Sequence, residues 1–308
     1  MLNRKDLLGL IDMSAAEISE ILDLAQGLKI RLKGGDKKMS LLAGKTVTIL
    51  FYENSTRTRT SFEEAAKYLG ATTINIVAGN SSVAKGETLI DTGKTLDAQK
   101  NDFIIIRHPM GGAPHLLAKT VKASVLNAGD GMNEHPTQGL LDMLTMRETF
   151  GSLEGLKVAI LGDIKHSRVA KSNLFGLKTM GAEVYMYAPE TLIPKGIDQL
   201  GAKLCKTKEE AIKDADVVMG LRIQLERQQA GNFPSLNEYA TFYGVSAKDL
   251  QLAKPHAIVM HPGPVNRGVE LTGKVIDHDQ SRIEEQVFSG IAVRMAALKL
   301  LNDYRNSK

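Results

Sequence analysis

The chain has 308 residues, 43% of them hydrophobic, which is ample for two packed cores because single cores stop growing near ~250 to 300 residues. The formal net charge is only +4, Lys and Arg are interleaved with Asp and Glu, and aromatics make up 5%, so nucleic acid is not an expected partner while small anions are. The single Cys205 excludes an internal disulfide framework and a multi-cysteine metal site, no apolar run approaches the ~20 residues that span a bilayer, and residues 1–6 lack a signal-peptide core; the expectation is a cytosolic protein.

Ser14-Ala15-Ala16-Glu17 has capping-box spacing, and Ile18, Ile21, Leu22, Ala25 and Leu28 share one face of the helix that follows, which Gly34-Gly35 ends. Residues 46–52 form a β-branched and apolar run of strand length, and Phe62, Ala65, Ala66 and Leu69 then recur at helical spacing. A second strand is predicted at 71–77, followed by a polar loop at 79–86 and a helix at 87–99. The nearly unbroken apolar run 102–106 suits a parallel strand covered on both faces, and a helix at 114–119 precedes a short strand at 123–126. A turn-rich loop at 129–136 leads into a helix at 137–150, and a domain boundary is placed there. The second α/β series reads strand 156–161, helix 167–180, strand 182–187, helix 208–213, strand 216–219 and a last strand at 257–261. Residues 222–243 have weak periodicity and are predicted to be a long loop. The terminal helix, 283–302, is expected to pair with the helix at 14–30.

The switch from first strand to first-domain helix falls on Asn54-Ser55-Thr56-Arg57-Thr58-Arg59. An opening helical turn offers unpaired backbone N–H groups and a partial positive charge, and here it adds hydroxyls and two guanidiniums, the surroundings a phosphate prefers. The plainer reading is that Asn54 or Ser55 is an ordinary N-cap and the arginines are solvated. Ligands of open α/β sheets bind beyond the carboxyl ends of the strands, and further donors follow successive strands: Ser81 and Lys85, then Arg107, then His135 and Gln138. Each has a bland alternative, Lys85 as a solvated loop residue and His135 as a helix cap. In the second half, Gly162 to Arg168 follows a strand and opens a helix but lacks G-x-G-x-x-G spacing, so a nucleotide fingerprint is rejected. Arg168, Arg222 and Gln224 form a carboxylate-binding inventory, since guanidinium forks suit carboxylates, although Arg222-Ile223-Gln224 also reads as a surface loop.

Ser55-Thr56-Arg57-Thr58-Arg59, His135-Pro136-Thr137-Gln138, Arg222-Ile223-Gln224 and His261-Pro262-Gly263-Pro264 together resemble the aspartate/ornithine carbamoyltransferase family, in its order and over nearly the whole chain. The first two motifs are shared by both branches. The second half resembles the aspartate branch: Arg222-x-Gln224 fits it, His261-Pro262-Gly263-Pro264 stands where ornithine enzymes carry His-Cys-Leu-Pro, and their Asp-x-x-x-Ser-Met-Gly loop is absent. Gly263 departs from the leucine that several aspartate-branch members have, a change that a backbone carbonyl role survives.

The resemblance implies an α/β chain of two doubly wound parallel-sheet domains linked by interdomain helices: a carbamoyl-phosphate domain at 1–134, joined by the terminal helix 285–308, and an aspartate domain at 135–284. It implies that Ser55, Thr56, Arg57, Thr58 and Arg107 cradle the phosphate, that Arg57, Thr58 and His135 face the carbonyl oxygen, and that Gln138 with carbonyls near Gly263 and Pro264 holds the carbamoyl amide. Ser81 and Lys85 match residues that reach a neighbouring subunit's site, so the expected form is a homotrimer with shared sites. Lys85, Arg168, Arg222 and Gln224 fall to aspartate. The implied activity is carbamoyl transfer in pyrimidine biosynthesis without metal or organic cofactor, with regulatory or other pathway subunits as further partners. An ornithine-like acceptor and a non-catalytic phosphometabolite-binding scaffold are the alternatives.

Overall fold

The computed structural model describes residues 2–77, 86–224 and 235–308. They divide into two compact units, Met1–Leu144 with Phe288–Lys308, and Thr145–Val287.

In the first unit, α1 (Ala15–Lys33) precedes β1 (Thr46–Phe51), α2 (Thr56–Tyr68), β2 (Thr72–Val77), α3 (Leu89–Ala98), β3 (Phe103–His108), α4 (Ala113–Thr120), β4 (Ser124–Asp130) and α5 (Pro136–Phe150). All pairings are parallel, in the order β2-β1-β3-β4. Parallel neighbours need a crossover, and the alternating helices supply it. Leu50, Ile104, Ile106, Leu117 and Val125 form one core cluster, which accounts for the apolar run of β3. The long terminal helix α11 (Ile283–Asn306) meets α1 through Lys29, whose Nζ donates to Ser289 Oγ at 2.8 Å and lies 5.7 Å from the Phe288 ring.

The second unit runs β5 (Lys157–Gly162), α6 (Arg168–Thr179), β6 (Glu183–Tyr187), β7 (Lys203–Leu204), α7 (Lys208–Ile212), β8 (Val217–Leu221), α8 (Leu236–Phe242), α9 (Ala247–Leu250), β9 (Ile258–Met260) and α10 (Gly273–Ile276). Its sheet is also parallel, ordered β7-β6-β5-β8-β9, over a core that includes Ala159, Leu161, Val218, Val259 and Leu271.

Two expectations need correction, and three elements were not expected. The strand expected at 123–126 continues to Asp130, because His108 pairs with Asp130 beyond an irregularity in the β3 register. The segment 222–243 is not one loop: Ser235 caps α8 by accepting from the Glu238 N–H, and buried Tyr239 stacks on Tyr243 at 5.4 Å. Finally, α9, α10 and β7 are too short for periodicity to reveal.

The capping box of α1 is reinforced from outside. Arg4 grips Glu17 through Nε and Nη2, both at 2.8 Å, while Ser14 N–H donates to the same carboxylate at 3.0 Å. Arg4 above all holds Glu17 from the usual 4.5 down to about 2. A depressed carboxylate stabilises the fold above its unfolded pKa and loses that contribution as pH falls through the folded one. Glu17→Gln is therefore expected to cost ~1 kcal/mol at pH 7. In thermal unfolding scans the gap to wild type should close as pH falls from about 4.5 to about 2.

Candidate active site

In open parallel sheets the ligand crevice lies where the strand order reverses, at the carboxyl ends of the strands. In the first unit that point is between β1 and β3, and the two strands end level: Phe51 pairs with Arg107, and Tyr52 N–H donates to Arg107 O at 2.8 Å. The chain leaves β1 and enters α2 within four residues, so the first turn of α2 opens beside Arg107. The first intrahelical bond of α2 is Arg59 N–H to Ser55 O at 3.3 Å, which leaves the N–H groups of Thr56, Arg57 and Thr58 outside the helical ladder.

Ser55 occupies the N-cap but its hydroxyl makes no cap bond, whereas Ser14, Thr88, Ser167 and Ser235 all accept from a backbone N–H at theirs. The ordinary N-cap reading of Ser55 therefore fails. The first turn of α2 also contains no acidic residue. Thr58 is buried and Arg57 exposed. Thr60 is occupied with the carbonyls of Thr56 and Arg57, so it is not part of the cradle.

Arg107 lies within β3 rather than past its end, and it is held from two sides. Glu53 accepts from Nε at 3.1 Å and Ala128 O from Nη1 at 3.4 Å. Such a fixed guanidinium is pre-organised, so little rotamer entropy remains to be lost on binding. Beside it His108 accepts from the Met110 N–H at 3.0 Å, and burial lowers its pKa, favouring the neutral ring.

His135 and Gln138 enter from β4. The loop between β4 and α5 is tied by Asp130, fully buried, whose Oδ1 accepts from Asn127 Nδ2 and the Glu134 N–H and whose Oδ2 accepts from the Gly112 N–H and Asn133 Nδ2, at 2.7 to 3.1 Å. Glu134 turns away and accepts from the Leu10 N–H at 2.8 Å and the Ile11 N–H at 3.3 Å. This leaves His135 buried at the mouth of α5, with its carbonyl accepting from the Gln138 N–H at 2.9 Å. Gln138 Nε2 donates to Asp142 Oδ1 at 2.9 Å. With its amide nitrogen turned to Asp142, Gln138 presents its oxygen as the acceptor that a carbamoyl –NH₂ needs.

The second unit repeats the design between β5 and β8. Gly162 ends β5 opposite Leu221, and a Cβ on Gly162 would lie 2.4 Å from Leu221 O; its φ of 132° also suits glycine. That close approach brings the segments after both strands together. Asp163, fully buried, accepts from the His166 N–H at 3.2 Å and the Gln224 N–H at 3.2 Å, and pairs with His166 Nδ1 at 2.8 Å. Glu270 accepts from the Ile223 N–H and from Asn266 N and Nδ2, each at 2.9 Å, although burial pushes its pKa up. Arg168 begins α6 behind the Ser167 cap and is buried, while Arg222 and Gln224 are half-buried after β8. These three are the side chains that the sequence offers as a carboxylate-binding inventory for this unit.

Gly263 and Pro264 lie in the turn after β9, the strand beside β8, where the Gly263 N–H donates to His261 Nδ1 at 2.9 Å. Ser81 and Lys85 lie outside the described residues. Among the described residues, no group of three or more His, Cys, Asp or Glu is arranged to hold a metal ion, and no helix is long and apolar enough to cross a membrane. Glu53, Asp130, Asp142, Asp163 and Glu270 were missed as members of the site. Glu53, Asp163 and Glu270 each reach a partner on a remote segment, Arg107, Gln224 and Ile223, which leaves no trace in local patterning, while Asp130 and Asp142 also have partners three or four residues away.

Residues 5–148 match the family model described as the aspartate/ornithine carbamoyltransferase carbamoyl-P binding domain, and residues 154–301 the Asp/Orn binding domain of the same family. The aspartate carbamoyltransferase catalytic subunit of Ruminiclostridium cellulolyticum is 63% identical over 300 residues, 97% of this chain and 96% of that one. That of Acetivibrio thermocellus is 61% identical over 301 residues, 98% of this chain and 96% of its own. Aspartate transcarbamoylase from Trypanosoma cruzi, solved with carbamoyl phosphate, superposes with a TM-score of 0.86 at 33% identity over 96% of this chain and 95% of that one. Ornithine carbamoyltransferase from Pyrococcus furiosus also gives 0.86, at 32% identity over 95% of each chain, so backbone shape does not separate the two branches. The chain belongs to the aspartate/ornithine carbamoyltransferase family.

Proposed function

We infer that this chain transfers the carbamoyl group of carbamoyl phosphate to the amino group of L-aspartate, giving N-carbamoyl-L-aspartate and phosphate, and so serves pyrimidine biosynthesis. The observation that carries the choice of acceptor is the state of the carboxylates at the second strand-order reversal. Among the described residues there, Asp163 is taken up by His166 and the Gln224 N–H, and Glu270 by Ile223 and Asn266. Around them stand Arg168, Arg222 and Gln224, a set whose charge and donors suit two carboxylates and are hostile to an ornithine-like ammonium. The high identity to catalytic subunits of the aspartate branch supports the same choice.

In the reaction the neutral amine of aspartate attacks the carbonyl carbon, a C–N bond forms, and the carbonyl oxygen takes up negative charge. The bond between that carbon and the bridging phosphate oxygen then breaks as the carbonyl re-forms, and the departing phosphate accepts the amine proton. The N–H groups of Thr56, Arg57 and Thr58, the Ser55 hydroxyl and the fixed Arg107 suit the phosphate. Arg57, Thr58 and His135 would face the carbonyl oxygen, and donors aimed in advance at a developing charge stabilise it without reorganising. Gln138 Oε1, with carbonyls near Gly263 and Pro264, would hold the carbamoyl –NH₂. Holding two anions side by side supplies up to ~7 to 11 kcal/mol by making the step nearly unimolecular.

The active form is a homotrimer in which Ser81 and Lys85 complete a neighbour's site, Lys85 touching both substrates. β2, the strand that precedes them in the chain, is an edge strand that exposes Ile74 and Asn75, which is compatible with a neighbouring chain at that border of the sheet. Lys85→Ala and Arg107→Ala proteins, each inactive alone, are expected to regain partial activity when mixed after dissociation. No recovery would assign Lys85 to its own chain's site.

The activity itself is tested by product identification with carbamoyl phosphate and a panel of amines, without added metal. Carbamoyl aspartate is the expected product; carbamoylation of ornithine in its place, or phosphate binding without any product, would sustain one of the two rival readings.

A further inference from the structure

We propose that Arg294, in the middle of α11, is a positioning residue for carbamoyl transfer: it locks the helix that begins at the phosphate cradle to the carboxylate that orients Gln138. The proposal rests on the functional reading above, and no sequence motif pointed to it.

Arg294 is 3% exposed, in a helix otherwise buried through Ala292, Val293, Met295, Ala296 and Ala297. Its Nη1 donates to Ser61 Oγ at 2.8 Å, and its guanidinium carbon stands 4.9 Å from the Phe62 ring centre. Both contacts are to α2, one turn beyond the residues assigned to the phosphate. Asp142 attracts it electrostatically, and Asp142 Oδ1 is the atom that accepts from Gln138 Nε2 at 2.9 Å. A single buried cation thus acts on two separate parts of the carbamoyl phosphate site.

Packing alone does not explain an arginine here. Burial of a guanidinium is costly, and a well-packed apolar residue in place of a buried charge pair is often neutral or stabilising. Burial lowers the pKa of Arg294 to about 10 against the pull of Asp142, which leaves it protonated at neutral pH. The helix is also cut away to admit it. A Cβ on Gly290, one turn earlier, would fall 2.4 Å from Nη1 and 3.2 Å from Leu141 Cδ2. Glycine inside a helix is destabilising relative to alanine. Two unfavourable choices, a buried charge and a mid-helix glycine, converge on one guanidinium.

If Arg294 acts through Asp142, its effect must pass through Gln138. The test is a kinetic cycle of wild type, Arg294→Met, Gln138→Ala and the double variant in the full-length chain, with carbamoyl phosphate and aspartate. Arg294→Met is expected to lower kcat by ~10- to 100-fold, as displacement of reacting groups by about 1 Å does. In the Gln138→Ala background the same change should cost at least ~3-fold less than in wild type, because the part carried by Asp142 and Gln138 is already gone and only the part carried by α2 remains. Gly290→Ala, which keeps the charge but displaces it, should reproduce the kcat loss and supplies the result if Arg294→Met does not fold. Equal factors in both backgrounds, or an unchanged kcat in Arg294→Met or Gly290→Ala, would overturn the proposal. Wild type in the same assay separates this failure from that of the functional reading, which is marked by no carbamoyl aspartate from wild type.

Discussion

Arg57→Ala is expected to lower kcat by ~10²- to 10³-fold at saturating carbamoyl phosphate and aspartate, the usual cost of losing one donor to a developing oxyanion. The direction of the accompanying KM change is the informative part. In the proposed site the phosphate is shared among the backbone N–H groups of residues 56–58, Ser55 and Arg107, all of which survive the substitution. The lost interaction is the one that strengthens as the carbonyl oxygen becomes anionic, and such losses lower kcat more than they raise KM. Steady-state kinetics in both substrates check this. A raised KM for carbamoyl phosphate with kcat intact would make Arg57 a ground-state phosphate ligand only. Arg57→Lys should recover little, because a lysine ammonium cannot reproduce the planar fork.

Arg222→Ala should act on the other substrate, raising KM for aspartate by roughly 10- to 150-fold, which corresponds to the ~1.5 to 3 kcal/mol of a hydrogen bond to a charged group. The KM for carbamoyl phosphate should stay within a few-fold of wild type. This follows from the placement of Arg222 after β8 in the second unit, whereas the proposed phosphate donors open α2 after β1 and lie within β3 in the first. The local backbone should survive the change, since the Ile223 N–H remains held by Glu270 and the Gln224 N–H by Asp163. Acceptor competition adds a second readout: succinate, a dicarboxylate without the amine, should lose its inhibition in parallel with the loss of aspartate affinity. Equal weakening of both substrates would place Arg222 outside the acceptor set.

The cation and hydroxyl groups proposed for the site are legible in the sequence where they stand at a local transition. Ser55 to Thr58 mark the change from strand period to helix period, and Arg168 opens a helix directly after a strand. The carboxylates that hold those groups were not legible. Glu134 meets Leu10 and Ile11 more than 120 residues away, and Glu270 meets Ile223 across 47. Nothing in local patterning distinguishes such residues from solvated acids, and their function is visible only once strand order is known. The same limit applies to β4, where Gly129-Asp130 spells a turn but the pairing with His108 extends the strand. In α8 a capped start was available at Ser235 and Glu238, but the apolar face reduces to Tyr239 and gave too weak a period to read.

Doubts about the bland alternatives were resolved unevenly. Ser55 stands at an N-cap without serving as one, and His135 is buried in a loop whose own polar ties are made by Asp130 and Glu134. Arg222-Ile223-Gln224 is no loose surface loop, since two of its three N–H groups are tied to buried carboxylates. Lys85 lies outside the described residues, and its assignment rests on the family resemblance and on the mixing experiment.

The account depends most on the first turn of α2 being the phosphate site. A crystal structure of this protein grown with carbamoyl phosphate tests it directly. The prediction is that the phosphate lies against the N–H groups of residues 56–58 with Ser55 Oγ and Arg107, and that the carbamoyl nitrogen meets Gln138 Oε1. Density for the ligand elsewhere, with the opening turn of α2 occupied only by water, would contradict it.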